Sequence, residues 1–176
     1  MKFTTGKRPP AVAFVARSGT GKTTLVEALI AALTARGLRV GAMKHDAHRF
    51  AIDRPGKDSA RFTAAGAEVM VLVSEDTVAT IRRPRDPVPL DDLLDASFAD
   101  LDLVLVEGYK TSALPKIEVH RAALSQPLLC RGQRTDDPHL VAVVSDTPLE
   151  IDVPVLDLAQ PETVADFLIR TFLPPR

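Results

Sequence analysis

The chain has 176 residues, of which 45% are hydrophobic and 26% charged, and its formal net charge at pH 7 is −1. This length and composition fit a single globular domain over residues 1–176, and the near-neutral charge gives no reason to expect binding to nucleic acid. The single cysteine, Cys130, excludes an internal disulfide framework and a four-cysteine zinc site. No segment resembles a signal peptide or approaches the roughly 18 apolar residues of a membrane span, so we expect a cytoplasmic protein that does not enter a membrane.

Strand-like and helix-like segments alternate along the first part of the chain. Residues 11–16 form a continuous apolar run, which is typical of a strand buried on both faces. Residues 23–37 place apolar side chains at helical spacing and end at Gly37. A second strand is predicted over 39–43, and a polar loop with a Pro-Gly turn follows over 44–59.

A short helix and a hairpin are predicted next. Residues 58–66 favour a helix that is capped by Asp58 or Ser59 and ended by Gly66. The segments EVMVLVS and TVATIRR have strand-like composition and are separated only by a short acidic turn, which predicts an antiparallel hairpin.

The rest of the chain continues the alternation. In chain order, the predicted elements are a helix over 90–98, strands over 101–108, 115–122, 139–146 and 153–158, and a closing helix over 161–173. This order predicts an α/β fold with a mainly parallel sheet. Because no crossover helix precedes 77–83 or 115–122, we expect antiparallel pairing there, with sheet edges that a second copy of the chain would cover in a homodimer.

The stretch ARSGTGKTTL, residues 16–25, carries most of a phosphate-loop (Walker A) pattern, although Ala16 replaces its first glycine. Gly19 and Gly21 let the backbone curl so that its N–H groups form an anion nest, and the following helix adds its positive N-terminal end. Lys22 is a candidate catalytic residue that would contact the β- and γ-phosphates, and the Thr23 hydroxyl would ligate Mg²⁺. The other loop residues assigned to the nucleotide are Arg17, Ser18, Thr20 and Thr24.

Magnesium needs an acidic side chain close to this loop. Glu107 lies at the carboxyl end of the 103–106 strand, which is the sheet edge that also holds the phosphate loop, whereas Asp100 and Asp102 lie at the opposite end. Glu107 is therefore a candidate catalytic and metal residue, acting directly or through water; the alternative is a solvated carboxylate at the sheet edge.

The loop 44–59 is unusually rich in charge for a connector. Lys44 and Lys57 suit a second phosphate-bearing ligand, Asp53 suits Mg²⁺, and His45 and His48 suggest either a metal site or solvated loop histidines. These alternatives stay open on spacing alone, as does the part taken by Asp58.

Two further residues have candidate roles in a nucleotide site. Asp146 ends a late strand, where its carboxylate would accept the N1 and N2 hydrogens of guanine; the alternative is an ordinary turn carboxylate. Arg17 occupies the second position of the loop, from which a guanidinium could clamp the nucleotide of a partner subunit, bind its own nucleotide or point to solvent.

Three stretches together resemble the MobB family of molybdopterin-guanine dinucleotide biosynthesis adapter proteins. They are SGTGKTTL, KHDAHRFAIDRPGKDSARFTAAGA and LDLVLVEGYK…PKIEV, and the resemblance spans roughly residues 10–158. The resemblance implies a three-layer fold of the P-loop NTPase type with an added β-hairpin, GTP binding, and a homodimer that assists MobA in joining GMP to molybdopterin. It also places one group of residues on the working surface: Lys44, His45, Asp53, Gly56, Lys57, Asp58 and Ser59. Ala47 stands where the family often has a histidine.

The function predicted from the sequence is therefore a GTP-binding adapter with at most slow GTP hydrolysis. A small-molecule kinase is an alternative, for which the brief arginine-rich segment over 82–87 is the only candidate lid. A metal-delivery GTPase is a further alternative, but it would require several closely placed Cys or His ligands.

Overall fold

The computed structural model describes residues 8–45, 53–132 and 135–175. The chain divides into two compact units, a larger one formed by residues 1–45 and 94–176 and a smaller one formed by residues 46–93. A single nucleotide-binding domain over 1–176 stays a prediction. No helix among the described residues is long and apolar enough to cross a membrane.

The larger unit holds most of the secondary structure. Its strands are β1 (Ala11–Ala16), β2 (Val40–Lys44), β5 (Leu103–Glu107), β6 (Lys116–His120), β7 (Arg131–Gly132), β8 (Thr135–Asp136), β9 (Leu140–Ser145) and β10 (Val155–Asp157), and its helices are α1 (Lys22–Ala35) and α4 (Pro161–Phe172). The smaller unit contains α2 (Asp58–Ala64), β3 (Val69–Val73) and β4 (Val78–Arg82). Helix α3 (Leu90–Phe98) runs from one unit into the other.

A six-stranded sheet in the order β10-β9-β6-β1-β5-β2 forms the centre of the larger unit. Every neighbouring pair in this sheet is parallel, so the carboxyl ends of all six strands lie at one edge. The predicted α/β class with a mainly parallel sheet and an added hairpin is confirmed.

The antiparallel pairing expected for residues 115–122 is wrong. Strand β6 lies inside the sheet and pairs in parallel with both β1 and β9, so it offers no free edge to a partner. Its charged side chains Lys116 and Glu118 are buried because each has a partner: Lys116 Nζ lies 3.0 Å from Asp137 Oδ2, and Glu118 accepts the Leu129 and Cys130 N–H groups at 2.6 and 2.8 Å. A strand that alternates apolar and charged residues can therefore be fully internal when its charges are paired.

Apolar side chains on both faces of the sheet hold the strands in place. On one face, α1 and α4 pack against the strands through a cluster that includes Phe14, Leu29, Leu105 and Leu168. On the other face, residues such as Val15 pack against partly buried apolar residues between 128 and 153. Burial of this kind stabilises a sheet by roughly 25 cal/mol per Å² of apolar surface removed from water.

The smaller unit is a short helix followed by a hairpin. Strands β3 and β4 pair antiparallel, which confirms the predicted hairpin. Helix α2 begins after Lys57, whose extended backbone forms the N-cap without a side-chain hydrogen bond, so the predicted capping by Asp58 or Ser59 is wrong. Asp58 instead lies in the first turn, where its charge favours the helix N-terminus.

Candidate functional site

The loop between β1 and α1 has the shape of an anion site. Gly19 and Gly21 adopt φ values of 82° and 87°, a left-handed conformation that glycine tolerates at little cost. Helix α1 begins at Lys22, and no side chain caps its N-terminus. Because the first-turn N–H groups of a helix lack intrahelical acceptors, this end of α1 favours a bound anion.

Glu107 is the centre of the polar contacts behind this loop. Its Oε1 lies 2.6 Å from Lys22 Nζ and 3.5 Å from Lys44 Nζ. Its Oε2 accepts a hydrogen bond from the Thr23 hydroxyl at 3.1 Å. The residues predicted from the loop pattern and from the end of β5 are thus brought together, as parallel pairing of β1, β2 and β5 requires.

The charge state of Glu107 follows from these contacts. Burial raises the pKa of its carboxyl group, but the hydrogen bond and charge of Lys22, with smaller contributions from Thr23 and Lys44, hold the pKa below its ordinary value. Glu107 is therefore an anion at neutral pH, and it balances the charge of Lys22.

The end of β2 lies beside the same carboxylate. The His45 N–H donates to the Glu107 carbonyl oxygen at 2.8 Å, and the His45 ring lies 4.3 Å from the Tyr109 ring, centroid to centroid. Gly108 has a φ of 103°, and a Cβ there would come within 3.0 Å of the His45 carbonyl oxygen. Two of the residues predicted for a second ligand, Lys44 and His45, therefore lie next to Glu107.

The chemistry of Thr23 and Glu107 fits a hard divalent cation. A hydroxyl oxygen and a carboxylate oxygen 3.1 Å apart are ligands that Mg²⁺ accepts, and Mg²⁺ usually takes one or two protein oxygens together with phosphates and water. Among the described residues, no group of three or more His, Cys, Asp or Glu side chains could hold a metal alone. A Mg²⁺ ion held by Thr23 and Glu107 would take its remaining ligands from phosphate and water.

The structure also places an arginine against the loop that the sequence analysis did not identify. Arg121, which directly follows β6, donates from Nε to the Thr20 carbonyl oxygen at 3.1 Å. Its Nη2 lies 3.2 Å from where a Cβ on Gly21 would be. Arg121 was not predicted as a site residue because an antiparallel 115–122 strand would have placed it at the other edge of the sheet.

The remaining loop residues occupy different environments. Arg17 donates from Nε to the Pro127 carbonyl oxygen of its own chain at 3.1 Å. The Thr20 side chain is buried, and its hydroxyl donates to the Arg17 carbonyl oxygen at 3.2 Å. Ser18 and Thr24 are exposed. The loop is thus braced from within, while two of its side chains remain open to solvent.

Asp146 lies at the predicted edge of the sheet, directly after β9. Its Oδ1 accepts a hydrogen bond from the Ala122 N–H at 2.8 Å, which ties it to a short 3-10 turn (Ala122–Leu124). A cavity of about 380 Å³ lies beside it, bordered by residues that follow β9 and residues of β10. The contact with Ala122 fits an ordinary turn carboxylate, and the neighbouring cavity leaves room for the predicted contact with guanine.

The other predicted residues of the 44–59 loop belong to the smaller unit or lie outside the described residues. Asp53 accepts the Arg54 N–H at 2.9 Å, and Asp58 Oδ1 lies 3.2 Å from Arg61 Nη1. Lys57 is exposed, and His48 lies outside the described residues. A joint role for Asp53 with Thr23 and Glu107, or for Lys57 and Asp58 with a second ligand, therefore stays a prediction.

The structure also describes residues that bear on the two alternative functions, a small-molecule kinase and a metal-delivery GTPase. In the candidate kinase lid, Arg85 Nη2 lies 3.3 Å from Glu68 Oε2 within the smaller unit. Cys130 is buried, and burial followed by the charge of Glu118 raises the pKa of its thiol to about 12. A protonated, buried thiol is a poor metal ligand, so Cys130 gives no support to a metal-delivery function.

The fold and the loop together define the class: an α/β protein whose first strand and first helix are joined by a glycine-rich anion loop, with a lysine, a threonine and a glutamate meeting behind it. Residues 11–146 match the family described as MobB, molybdopterin guanine dinucleotide synthesis protein B. The chain belongs to the MobB family.

Individual relatives agree with this assignment. The chain is 42% identical over 168 residues to the molybdopterin-guanine dinucleotide biosynthesis adapter protein of Escherichia coli (strain K12), with 92% of each chain covered. It is 39% identical over 160 residues to the protein of the same name from Haemophilus influenzae, covering 90% of this chain and 87% of the relative. A crystal structure of molybdopterin-guanine biosynthesis protein B matches with a TM-score of 0.72 at 26% identity, covering 91% of this chain and 98% of that one.

Proposed function

We propose that this chain binds GTP with Mg²⁺ at residues 17–24 and acts as an adapter in molybdenum cofactor biosynthesis, assisting the guanylyltransferase MobA in attaching GMP to molybdopterin. The observation that carries the proposal is the contact of Lys22 and Thr23 with Glu107 directly behind the glycine-rich loop. The names of the relatives supply the biosynthetic context.

The residues of the loop have distinct parts in binding. The loop N–H groups and the N-terminus of α1 hold the phosphates, and Lys22 leaves Glu107 to contact the β- and γ-phosphates. Thr23 and Glu107 would hold the metal ion, directly or through water. When bound, Mg²⁺ would neutralise phosphate charge and orient the triphosphate. For an adapter that binds GTP, we expect slow GTP hydrolysis at most.

Guanine recognition is assigned to Asp146. The cavity beside it, at the same edge of the sheet as the loop, supports this assignment because a purine must lie beyond its own phosphates along that edge. The Asp146 Oδ1 atom already accepts one backbone N–H, so the second carboxylate oxygen is the one assigned to the base. If Asp146 is not the base residue, residues 159–163 are the next candidates.

A second ligand or the partner enzyme is assigned to the surface that begins at Lys44 and His45. These residues lie beside Glu107, so a group bound there would lie next to the terminal phosphate of the nucleotide. The prediction that His48, Lys57 and Asp58 serve a second ligand is kept as a separate part of the proposal. An acidic, phosphate-bearing pterin is ligand chemistry that a lysine and a histidine suit.

We also propose a homodimer formed through the β3–β4 hairpin. Within the described residues, these two strands pair only with each other, and Val71, Val73 and Val78 are exposed, Val73 by 72%. An exposed apolar hairpin with open edges is a surface that proteins normally cover. Substituting Val73→Lys should shift the chain towards monomer in analytical ultracentrifugation at micromolar concentration. A wild-type monomer with and without GTP would refute the dimer.

If the dimer forms, the part of Arg17 can be tested by mixing subunits. Mixtures of Arg17→Ala and Lys22→Ala chains should regain part of any hydrolysis that each lacks alone if Arg17 acts on the partner's nucleotide. Without such recovery, Arg17 has no role at the partner's nucleotide.

The adapter function is tested by reconstitution with the partner enzyme. Adding this protein to MobA, GTP and molybdopterin should increase guanylylation, and Lys22→Ala should remove the increase. His45→Ala should also reduce the increase while leaving GTP affinity intact. A wild-type protein that neither binds GTP nor changes guanylylation would refute the proposal.

A further inference from the structure

A segment outside the predicted site braces the phosphate loop from the side opposite Glu107. Residues 121–127, here named the brace, follow β6 directly. Arg121 donates to the Thr20 carbonyl oxygen, Arg17 of the loop donates to Pro127 of the brace, and a Cβ on Gly19 would lie 4.0 Å from Leu124 Cδ2. The loop and the brace are therefore joined at both ends and in contact between them.

The bond from Arg121 has a geometric consequence for anion binding. In a trans peptide, the C=O and the following N–H point in opposite directions. Holding the Thr20 carbonyl towards Arg121 therefore fixes the Gly21 N–H on the other side of that peptide. Gly21 is in a left-handed conformation, from which a glycine peptide can rotate easily, so the direction of this N–H depends on an external anchor.

The next residue of the brace reaches the proposed base site. The Ala122 N–H donates to Asp146 Oδ1 at 2.8 Å, while the adjacent Arg121 side chain holds Thr20. Consecutive residues thus contact the phosphate loop and the carboxylate at the end of β9.

We propose that Arg121 is a positioning residue that sets the Thr20–Gly21 peptide of the phosphate loop for anion binding, and that Asp146 supports it through the Ala122 N–H. Asp146 therefore has two separable parts: it anchors the brace through Oδ1 and, in the proposed function, it binds guanine. This inference rests on the proposed nucleotide site, and it adds that phosphate affinity depends on residues that do not touch the phosphate.

The test uses inorganic triphosphate, which has no base, as the titrated ligand in calorimetry. Arg121→Gln and Arg121→Met are matched variants of similar length without charge, and only glutamine can donate to the Thr20 carbonyl oxygen. We expect the methionine variant to bind triphosphate about tenfold more weakly than the glutamine variant, because it lacks the hydrogen bond. Arg121→Lys keeps both the charge and a hydrogen-bond donor, so it should bind triphosphate more tightly than the methionine variant does. Arg170→Ala, an exposed arginine on α4, is the control and should bind as wild type does.

Asp146 is tested with the same ligand. Asp146→Asn keeps an oxygen that accepts the Ala122 N–H, whereas Asp146→Ala does not. Only the alanine variant should therefore lose triphosphate affinity, by about threefold to tenfold. Equal affinity of the asparagine and alanine variants would refute the part assigned to Asp146.

The outcomes separate this inference from the proposed function. Equal affinities of Arg121→Gln and Arg121→Met would overturn the positioning role while Lys22→Ala still weakens binding. If Lys22→Ala also binds as wild type does, the nucleotide site itself is wrong. If the methionine variant does not fold, which circular dichroism would show, Arg121→Leu takes its place as the variant without a donor.

Discussion

Removing the charge of Glu107 should strengthen triphosphate binding in the absence of Mg²⁺ and abolish the effect of Mg²⁺. In the structure, Lys22 Nζ lies 2.6 Å from Glu107 Oε1, so the lysine must exchange this carboxylate for phosphate when nucleotide binds. A charge-assisted hydrogen bond contributes roughly 1.5–3 kcal/mol, and Glu107→Gln would remove most of it from the free state. We therefore expect about tenfold tighter binding of GTP in EDTA.

The effect of Glu107→Gln on GTP affinity should be different when Mg²⁺ is present. Glutamine is a poor ligand for Mg²⁺, so the added affinity that Mg²⁺ gives to wild type should be lost in Glu107→Gln. The measurement is calorimetric titration of GTP in EDTA and in excess Mg²⁺. Asp102→Asn is the matched control because Asp102 lies at the opposite end of β5, where it accepts the Arg39 N–H at 2.7 Å. Weaker binding of the Glu107 variant in EDTA would refute this account of the lysine exchange.

Three further predictions follow from individual residues. Gly21→Ala and Gly37→Ala both force a positive φ on alanine and should each lower the free energy of unfolding by about 1–2 kcal/mol in urea titrations, but only Gly21→Ala should weaken triphosphate binding. Asp146→Asn should reduce the preference for GTP over ATP in competition titrations; an unchanged preference would move the base site to residues 159–163. Burial raises the pKa of the Cys130 thiol to about 12, so at high pH the folded state keeps a proton that the unfolded state loses. The free energy of unfolding should therefore fall between about pH 9 and pH 12, by up to about 1.4 kcal/mol per pH unit. Cys130→Ala should lack this decline.

The elements that sequence reasoning located best are those defined by neighbouring residues. The strand, glycine-rich loop and helix over 11–35 form one continuous pattern, and the structure reproduces it with α1 beginning at Lys22. Glu107 was predicted as a site residue because parallel strands end at the same sheet edge, which places the end of the 103–106 strand beside the phosphate loop. Its contacts with Lys22 and Thr23 agree with that step.

The pairing of residues 115–122 was predicted wrongly from the sequence. The lack of a helix before this strand suggested antiparallel pairing, because parallel connections usually contain one. Strand β6 nevertheless joins the sheet in parallel beside β1. Its charged residues Lys116 and Glu118 are 1% and 2% exposed and are paired with groups distant in sequence. Such pairings cannot be deduced from local pattern, and the contact of Arg121 with the loop was missed for the same reason.

The most direct test of the central claim is calorimetric titration of GTP with Mg²⁺ into the wild-type protein and into Lys22→Ala. The account predicts saturable binding to wild type, and a loss of roughly 1.5–3 kcal/mol, or about ten- to a hundredfold in affinity, in the variant. Circular dichroism should show that both proteins are equally folded. Equal GTP affinity in the two folded proteins would contradict the claim that residues 17–24 form a nucleotide site.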